Sequence, residues 1–119
     1  MRIATFNING INTRLASLLE WLEAARPDVA CLQELKATDA QFPAAAIRAL
    51  GYHAVWKGEH RWNGVAILAR GAEPVVTRRR LPGEPADEQS RYLEAAVDGV
   101  LVAPTRSPTR TADSVVAKA

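Results

Sequence analysis

Residues 1–36, MRIATFNINGINTRLASLLEWLEAARPDVACLQELK, decide the fold. Residues 2–8, RIATFNI, alternate in polarity and predict a strand. Asn9-Gly10 ends it with turn chemistry. A helix is predicted from Thr13 to Ala25, because Leu15, Leu18, Leu19 and Leu22 fall at i, i+3, i+4 and i+7 and make one apolar stripe. Asn12 or Thr13 is placed to cap it. Pro27 holds the residue before it in extended geometry, so the helix stops there. Val29 to Leu32 is a short, continuous apolar run of the kind found in buried strands. Strand, helix, strand within 36 residues is the spacing of a right-handed crossover between parallel strands.

Beyond Lys36 the pattern changes to strands with one short helix. Phe42-Pro43 opens a predicted helix through Leu50, and Gly51 follows where a helix C-terminal glycine belongs. Tyr52–Lys57 and Gly64–Ala69 read as strands, with a loop at 58–63 between them. Val75–Thr77 begins another. Residues 81–87 carry two prolines and a glycine and read as loop. Tyr92–Val97 and Val100–Ala103 read as a hairpin closed by Asp98-Gly99. The expected class is α/β, with helices packed on a sheet and a meander added. Residues 104–119, PTRSPTRTADSVVAKA, have no period except at Val115-Val116 and read as a disordered tail.

Composition narrows the field. A chain of 119 residues suits one domain with a real core. No apolar run is long enough to span a bilayer, and the N-terminus lacks the apolar stretch of a secretory signal. A single cysteine, Cys31, excludes an internal disulfide and a cysteine-rich zinc site and points to a reducing, cytoplasmic compartment. Residues 1–98 hold twelve basic and twelve acidic side chains, so the net charge of +2 belongs to the last 21 residues. The high pI is therefore not a nucleic-acid footprint. The basic run Arg78-Arg79-Arg80 has two readings, a solvated strand edge or a phosphate contact.

The residues that carry chemistry are Asn7 and Glu34, at the ends of the first two predicted strands. Parallel strands in one sheet bring both to the same edge, where α/β sheets gather ligands. An amide oxygen and a carboxylate suit a hard cation such as Mg²⁺, which keeps several waters and needs few protein ligands. Against this stands the plain reading of a surface carboxylate and a turn asparagine.

MRIATFNINGI, PDVACLQELK, ALGYHAVWKGEHRWNGVAIL and LPGEPADEQSRYLEA together resemble the exonuclease III family of the endonuclease/exonuclease/phosphatase superfamily. Leu32-Gln33-Glu34-Leu35-Lys36 is the most specific piece. Ala30 departs from the larger aliphatic residue usual there. The resemblance implies a portion of a four-layer α/β sandwich, two β-sheets flanked by helices, over residues 1–103, with 104–119 a tail outside the family. It implies Mg²⁺ (or Mn²⁺) and duplex DNA with abasic sites or 3′ blocks as cofactor and substrate, for a DNA-repair nuclease that is monomeric when intact. By position Glu34 and Asn7 match the metal site. Lys36 faces DNA or is a solvated lysine. Arg91 lies against the site or pairs with Asp87 or Glu88. Trp62 and Asn63 occupy a loop that approaches DNA or packs inward.

The same resemblance implies groups that this sequence lacks: a Tyr-x-Pro-x-Gly tyrosine, a Gly-Asp-x-Asn segment, a further aspartate and a late Asp-His pair. The water-activating residues are therefore absent, and the chain as written is expected to be an inactive N-terminal portion. A frameshift near codons 103–105 or a genuinely truncated product would produce it. A half-sandwich is expected to expose the faces of the Val29–Leu32 and Val65–Leu68 strands and to be prone to aggregation. Two other function classes remain: a non-catalytic DNA-binding or interaction fragment, and a superfamily enzyme acting on a phospholipid or inositol phosphate.

Overall fold

A computed structural model of the chain describes residues 1–58, 63–78, 93–104 and 115–118. The first sheet contains β1 (Ile3–Asn7), β2 (Val29–Gln33), β3 (Tyr52–Lys57) and β4 (Val65–Arg70) in the order β1-β2-β4-β3. β1 and β2 run parallel with Asn7 opposite Gln33, and α1 (Leu15–Ala25) is the crossover between them. β4 lies antiparallel to both β2 and β3. The second sheet is an antiparallel meander of β5 (Val75–Arg78), β6 (Glu94–Val97), β7 (Val100–Pro104) and β8 (Val115–Lys118).

The period of two along each central strand divides the molecule into two cores. Ala30 and Leu32 of β2, with Ala66 and Leu68 of β4, face the helices and pack with Leu18, Leu22 and Ile47. Val29, Cys31, Val65, Ile67 and Ala69 face the other way and pack against Leu93, Ala95, Val97 and Val102. Among the described residues the layers are thus helices, first sheet, second sheet, an incomplete α/β sandwich. The expected exposure of the Val29–Leu32 and Val65–Leu68 strands is not found. Val29, Cys31 and Ile67 are fully buried and Val65 is 2% exposed, because β6 and β7 cover that face.

Several boundaries differ from expectation for local reasons. α1 begins at Leu15, not Thr13, and its N-cap Arg14 makes no side-chain cap bond. Asn12 does not cap; its Nδ2 donates to the Gln41 carbonyl at 3.0 Å. The Ile11 N–H is taken by the Leu35 carbonyl at 2.9 Å, which holds this segment on the strand-end loops instead of in the helix. The helix expected from Phe42 to Leu50 is found as α2 (Ala44–Ala49), and a 3₁₀ turn at Asp39–Gln41 precedes it. Phe42 between them is extended, and its ring stacks on Trp56 with centroids 4.3 Å apart. Asp98 (φ 48°) and Gly99 (φ 79°) both take left-handed geometry, the signature of a two-residue type I′ hairpin turn. Residues 115–118 pair with β7 as β8, where the sequence reading expects a tail without structure.

Candidate functional site

The site lies beyond the carboxyl ends of the parallel strands, and backbone hydrogen bonds build it. Past the end of β1, the ladder to the β2 side continues through Ile8 N–H to Gln33 O, Gly10 N–H to Glu34 O and Ile11 N–H to Leu35 O, each at 2.9 Å. On its other side the same 34–36 loop donates from Leu35 N–H to Gly64 O at 3.1 Å and from Lys36 N–H to Asn63 O at 3.0 Å. A short loop clamped on both flanks holds its side chains in fixed directions. Leu35 points inward and is fully buried, which anchors the loop and leaves Glu34 and Lys36 half-buried at the rim.

Three non-glycine residues here take left-handed backbone geometry: Asn9 (φ 48°), Glu34 (φ 53°) and Lys36 (φ 51°). Such geometry costs on the order of 1–2 kcal/mol per residue, least for asparagine. The double clamp is what holds Glu34 and Lys36 in it.

The side chains meet as the sequence pattern predicts for Asn7 and Glu34. Asn7 Nδ2 donates to Glu34 Oε2. Asn7 Oδ1 accepts the Asn9 N–H at 2.9 Å. The amide orientation is thereby set: its nitrogen faces the carboxylate and its oxygen faces the turn. Lys36 Nζ donates to Asn9 Oδ1 at 2.5 Å, so Lys36 belongs to the same cluster. Asn9 therefore links all three, although as part of Asn9-Gly10 it reads only as a turn residue. Arg14 joins by donating from Nε to the Asn9 carbonyl at 3.4 Å. The sequence signal for Arg14 was absent, since it sits one residue before the apolar stripe. Arg91 and Trp62 lie outside the described residues, as do Arg79 and Arg80. Asn63 is 5% exposed and contributes its backbone carbonyl to the clamp.

Beneath the cluster Gln33 is fully buried, with Nε2 donating to Thr5 Oγ1 at 3.0 Å and Oε1 lacking a partner among the described residues. Among the described residues no three His, Cys, Asp or Glu side chains come close enough to share a metal ion. The donor set available at the site is one carboxylate with amide oxygens. It is too hard and too sparse for zinc, which takes nitrogen and sulfur ligands, and it fits a cation that keeps most of its water. No helix among the described residues is long and apolar enough to cross a membrane.

Residues 4–116 match the model of the Endonuclease/Exonuclease/phosphatase family. The match continues past residue 103, where the sequence reading draws its boundary. The chain is 39% identical over 98 residues to the exodeoxyribonuclease III of Haemophilus influenzae, covering 82% of this chain and 36% of that protein. Among solved structures it is similar to an AP endonuclease from Archaeoglobus fulgidus, with TM-score 0.83 and 39% identity, covering 91% of this chain and 41% of that one. The 3′ phosphatase NExo from Neisseria, solved with product DNA hairpin, aligns with TM-score 0.82 and 40% identity over 91% of this chain and 45% of that one. The chain thus spans about a third of the curated relative and under half of each solved structure.

Proposed function

The chain belongs to the Endonuclease/Exonuclease/phosphatase family, and from that premise we propose that it carries the metal-holding part of a DNA-repair nuclease site of exonuclease III type. The observation that supports this reading most directly is Glu34, a carboxylate clamped at the strand ends with the Asn7 amide nitrogen on one of its oxygens. In this reading Glu34 holds a divalent cation, Mg²⁺ or Mn²⁺, directly. Asn7 orients the carboxylate, with its own oxygen committed to the Asn9 N–H. When bound, such an ion supplies charge stabilisation to a phosphoryl oxygen and to the leaving 3′ oxygen. Lys36, held by Asn9 Oδ1, stands beside that position as a cation for a DNA phosphate. Arg91 is assigned to the same DNA-facing role on its position in the sequence. The substrate is duplex DNA with abasic sites or 3′ blocks.

Hydrolysis also needs a group that takes a proton from the attacking water. Glu34 is engaged by Asn7, and Lys36 is a donor, so neither fills that role as placed. Missing general-base catalysis is worth on the order of 10²–10⁴ in rate. The 119-residue chain alone is therefore expected to bind the cation and to leave abasic duplex uncut.

Mn²⁺ binding followed by paramagnetic broadening of amide signals tests the reading. Broadening is expected to centre on residues 7–10 and 33–36. Glu34→Gln should weaken it more than tenfold, and Asn7→Ala by roughly 10–100-fold, the range typical of groups that orient a metal ligand. Mn²⁺ affinity unchanged in Glu34→Gln would sink the assignment. Nicking of abasic duplex by the purified chain, lost in Glu34→Gln, would overturn the expectation of inactivity while leaving the metal site standing.

A further inference from the structure

Gln33 is fully buried at the end of β2, in the layer that otherwise holds Val29, Cys31, Val65 and Ile67. Side chains alternate faces along a strand, so Thr5 and Asn7 of β1 share that layer with it, and Asn7 is its partner in register. Its Nε2 donates diagonally back to Thr5 Oγ1 at 3.0 Å. Its Oε1, also buried, has no partner among the described residues. An amide in an apolar layer with one atom unmatched bears the full desolvation cost of that atom. Methionine, of the same length and also unbranched, would bear none of it.

Strand pairing does not require that amide. The backbone already joins β1 to β2 here, with Asn7 opposite Gln33 and the Ile8 N–H on the Gln33 carbonyl at 2.9 Å. What the amide adds is direction. A methionine side chain adapts to its surroundings by turning about three bonds. The bond to Thr5 instead gives the Gln33 side chain one direction, back from the carboxyl ends of the strands. Gln33 is also the in-register neighbour of Asn7, whose Nδ2 meets Glu34 Oε2, and the chain neighbour of Glu34 itself. Residues that cost stability are expected where function needs a fixed geometry. We propose that Gln33 is a positioning residue: its amide, tied to Thr5, is a fixed neighbour that keeps the Asn7 side chain on Glu34 and so pre-sets the carboxylate for a divalent cation. That last step rests on the metal-site reading; the hold on Asn7 does not.

The test compares Gln33→Met, Thr5→Val and Thr5→Ser in the full 119-residue chain, with Mn²⁺ as the metal probe. Gln33→Met removes the unmatched atom and the bond to Thr5 together. It is expected to melt at the wild-type temperature or higher, yet to bind Mn²⁺ roughly tenfold more weakly. Thr5→Val keeps the shape of the side chain and deletes the acceptor, so it should weaken Mn²⁺ by a similar factor. Thr5→Ser keeps the hydroxyl and should bind as the wild type does. Without metal, the Asn7 Nδ2 hydrogens should exchange with water roughly tenfold faster in Gln33→Met and Thr5→Val than in the wild type or Thr5→Ser. A melting temperature that falls in Gln33→Met together with the affinity would make the role structural and overturn the proposal. So would wild-type exchange at Asn7 in both Gln33→Met and Thr5→Val. The two Thr5 variants carry the test if Gln33→Met does not fold. Mn²⁺ affinity unchanged in Glu34→Gln would remove the metal-site reading alone, because the metal-free exchange at Asn7 still decides whether Gln33 holds that side chain.

Discussion

Glu34 and Asn7 are informative because their side chains are engaged differently. Both lie where the sequence places them, but the amide turns its nitrogen to the carboxylate and spends its oxygen on Asn9. That geometry supports the orienting role proposed for Asn7, and it is invisible in the spacing. Asp28 shows a second residue-scale effect, at the opposite end of the same strands. Its carboxylate accepts the Arg2 backbone N–H at 2.7 Å and the Arg70 guanidinium at 2.9 Å. The Arg2 N–H first, and the Arg70 bond after it, hold the Asp28 carboxyl below its ordinary value of 3.8. A carboxyl lowered on folding contributes stability above its unfolded pKa and loses it as pH falls through the folded one. Asp28→Asn should therefore lower the melting temperature at pH 7 and flatten the loss of stability below about pH 4. Melting curves at pH 7, 5 and 3 check this; equal acid sensitivity of the two proteins would contradict it.

At the scale of elements, the 37–39 segment shows how packing fixes a loop against the end of β3. Gly58 N–H donates to Asp39 Oδ1 at 2.7 Å and Trp56 Nε1 to the Asp39 carbonyl at 3.2 Å, so the end of β3 is stapled to the chain leaving the site loop. The backbones approach so closely that a Cβ on Gly58 would lie 2.5 Å from the Ala37 carbonyl oxygen and 2.7 Å from Asp39 N. Gly58→Ala must push backbone against backbone, and a destabilisation of about 1–3 kcal/mol in urea unfolding is expected. A neutral substitution would contradict so close a backbone approach. The Phe42–Trp56 stack belongs to the same junction, where Pro43 holds residue 42 extended.

For the whole molecule, the consequential feature is the core shared by the two sheets. Cys31 and Ile67 are cross-strand partners in the first sheet and pack against the second. Burial pushes the Cys31 thiol up to about 12, so it is neither accessible nor ionised in the folded state. Labelling of Cys31 by a thiol reagent at pH 8 should proceed only through opening of both sheets. Ile67→Ala, at a cost of roughly 2–5 kcal/mol, should speed labelling by tenfold or more. Rapid labelling of the folded wild-type chain would show that the second sheet does not cover the first. The expectation of an exposed inner face failed for a related reason. It took the chain for a half-sandwich with that face uncovered, whereas β6 and β7 lie over it.

Most elements of the first sheet were legible in the sequence because period-two and period-3.6 patterns are local. The apolar stripe of α1, the buried runs of β2 and β4 and the Asp98-Gly99 turn each announce themselves within a few residues. The positions of Asn7 and Glu34 were legible for the same reason, as strand ends in a short crossover unit. What only the tertiary structure decided is non-local. β4 inserts between β2 and β3, and the meander folds over the face of Cys31 and Ile67. Asn9 became the centre of the site cluster and Asn12 was drawn from its helix cap to Gln41. Each of these depends on a contact between residues far apart in the chain, whose free energy no local pattern contains.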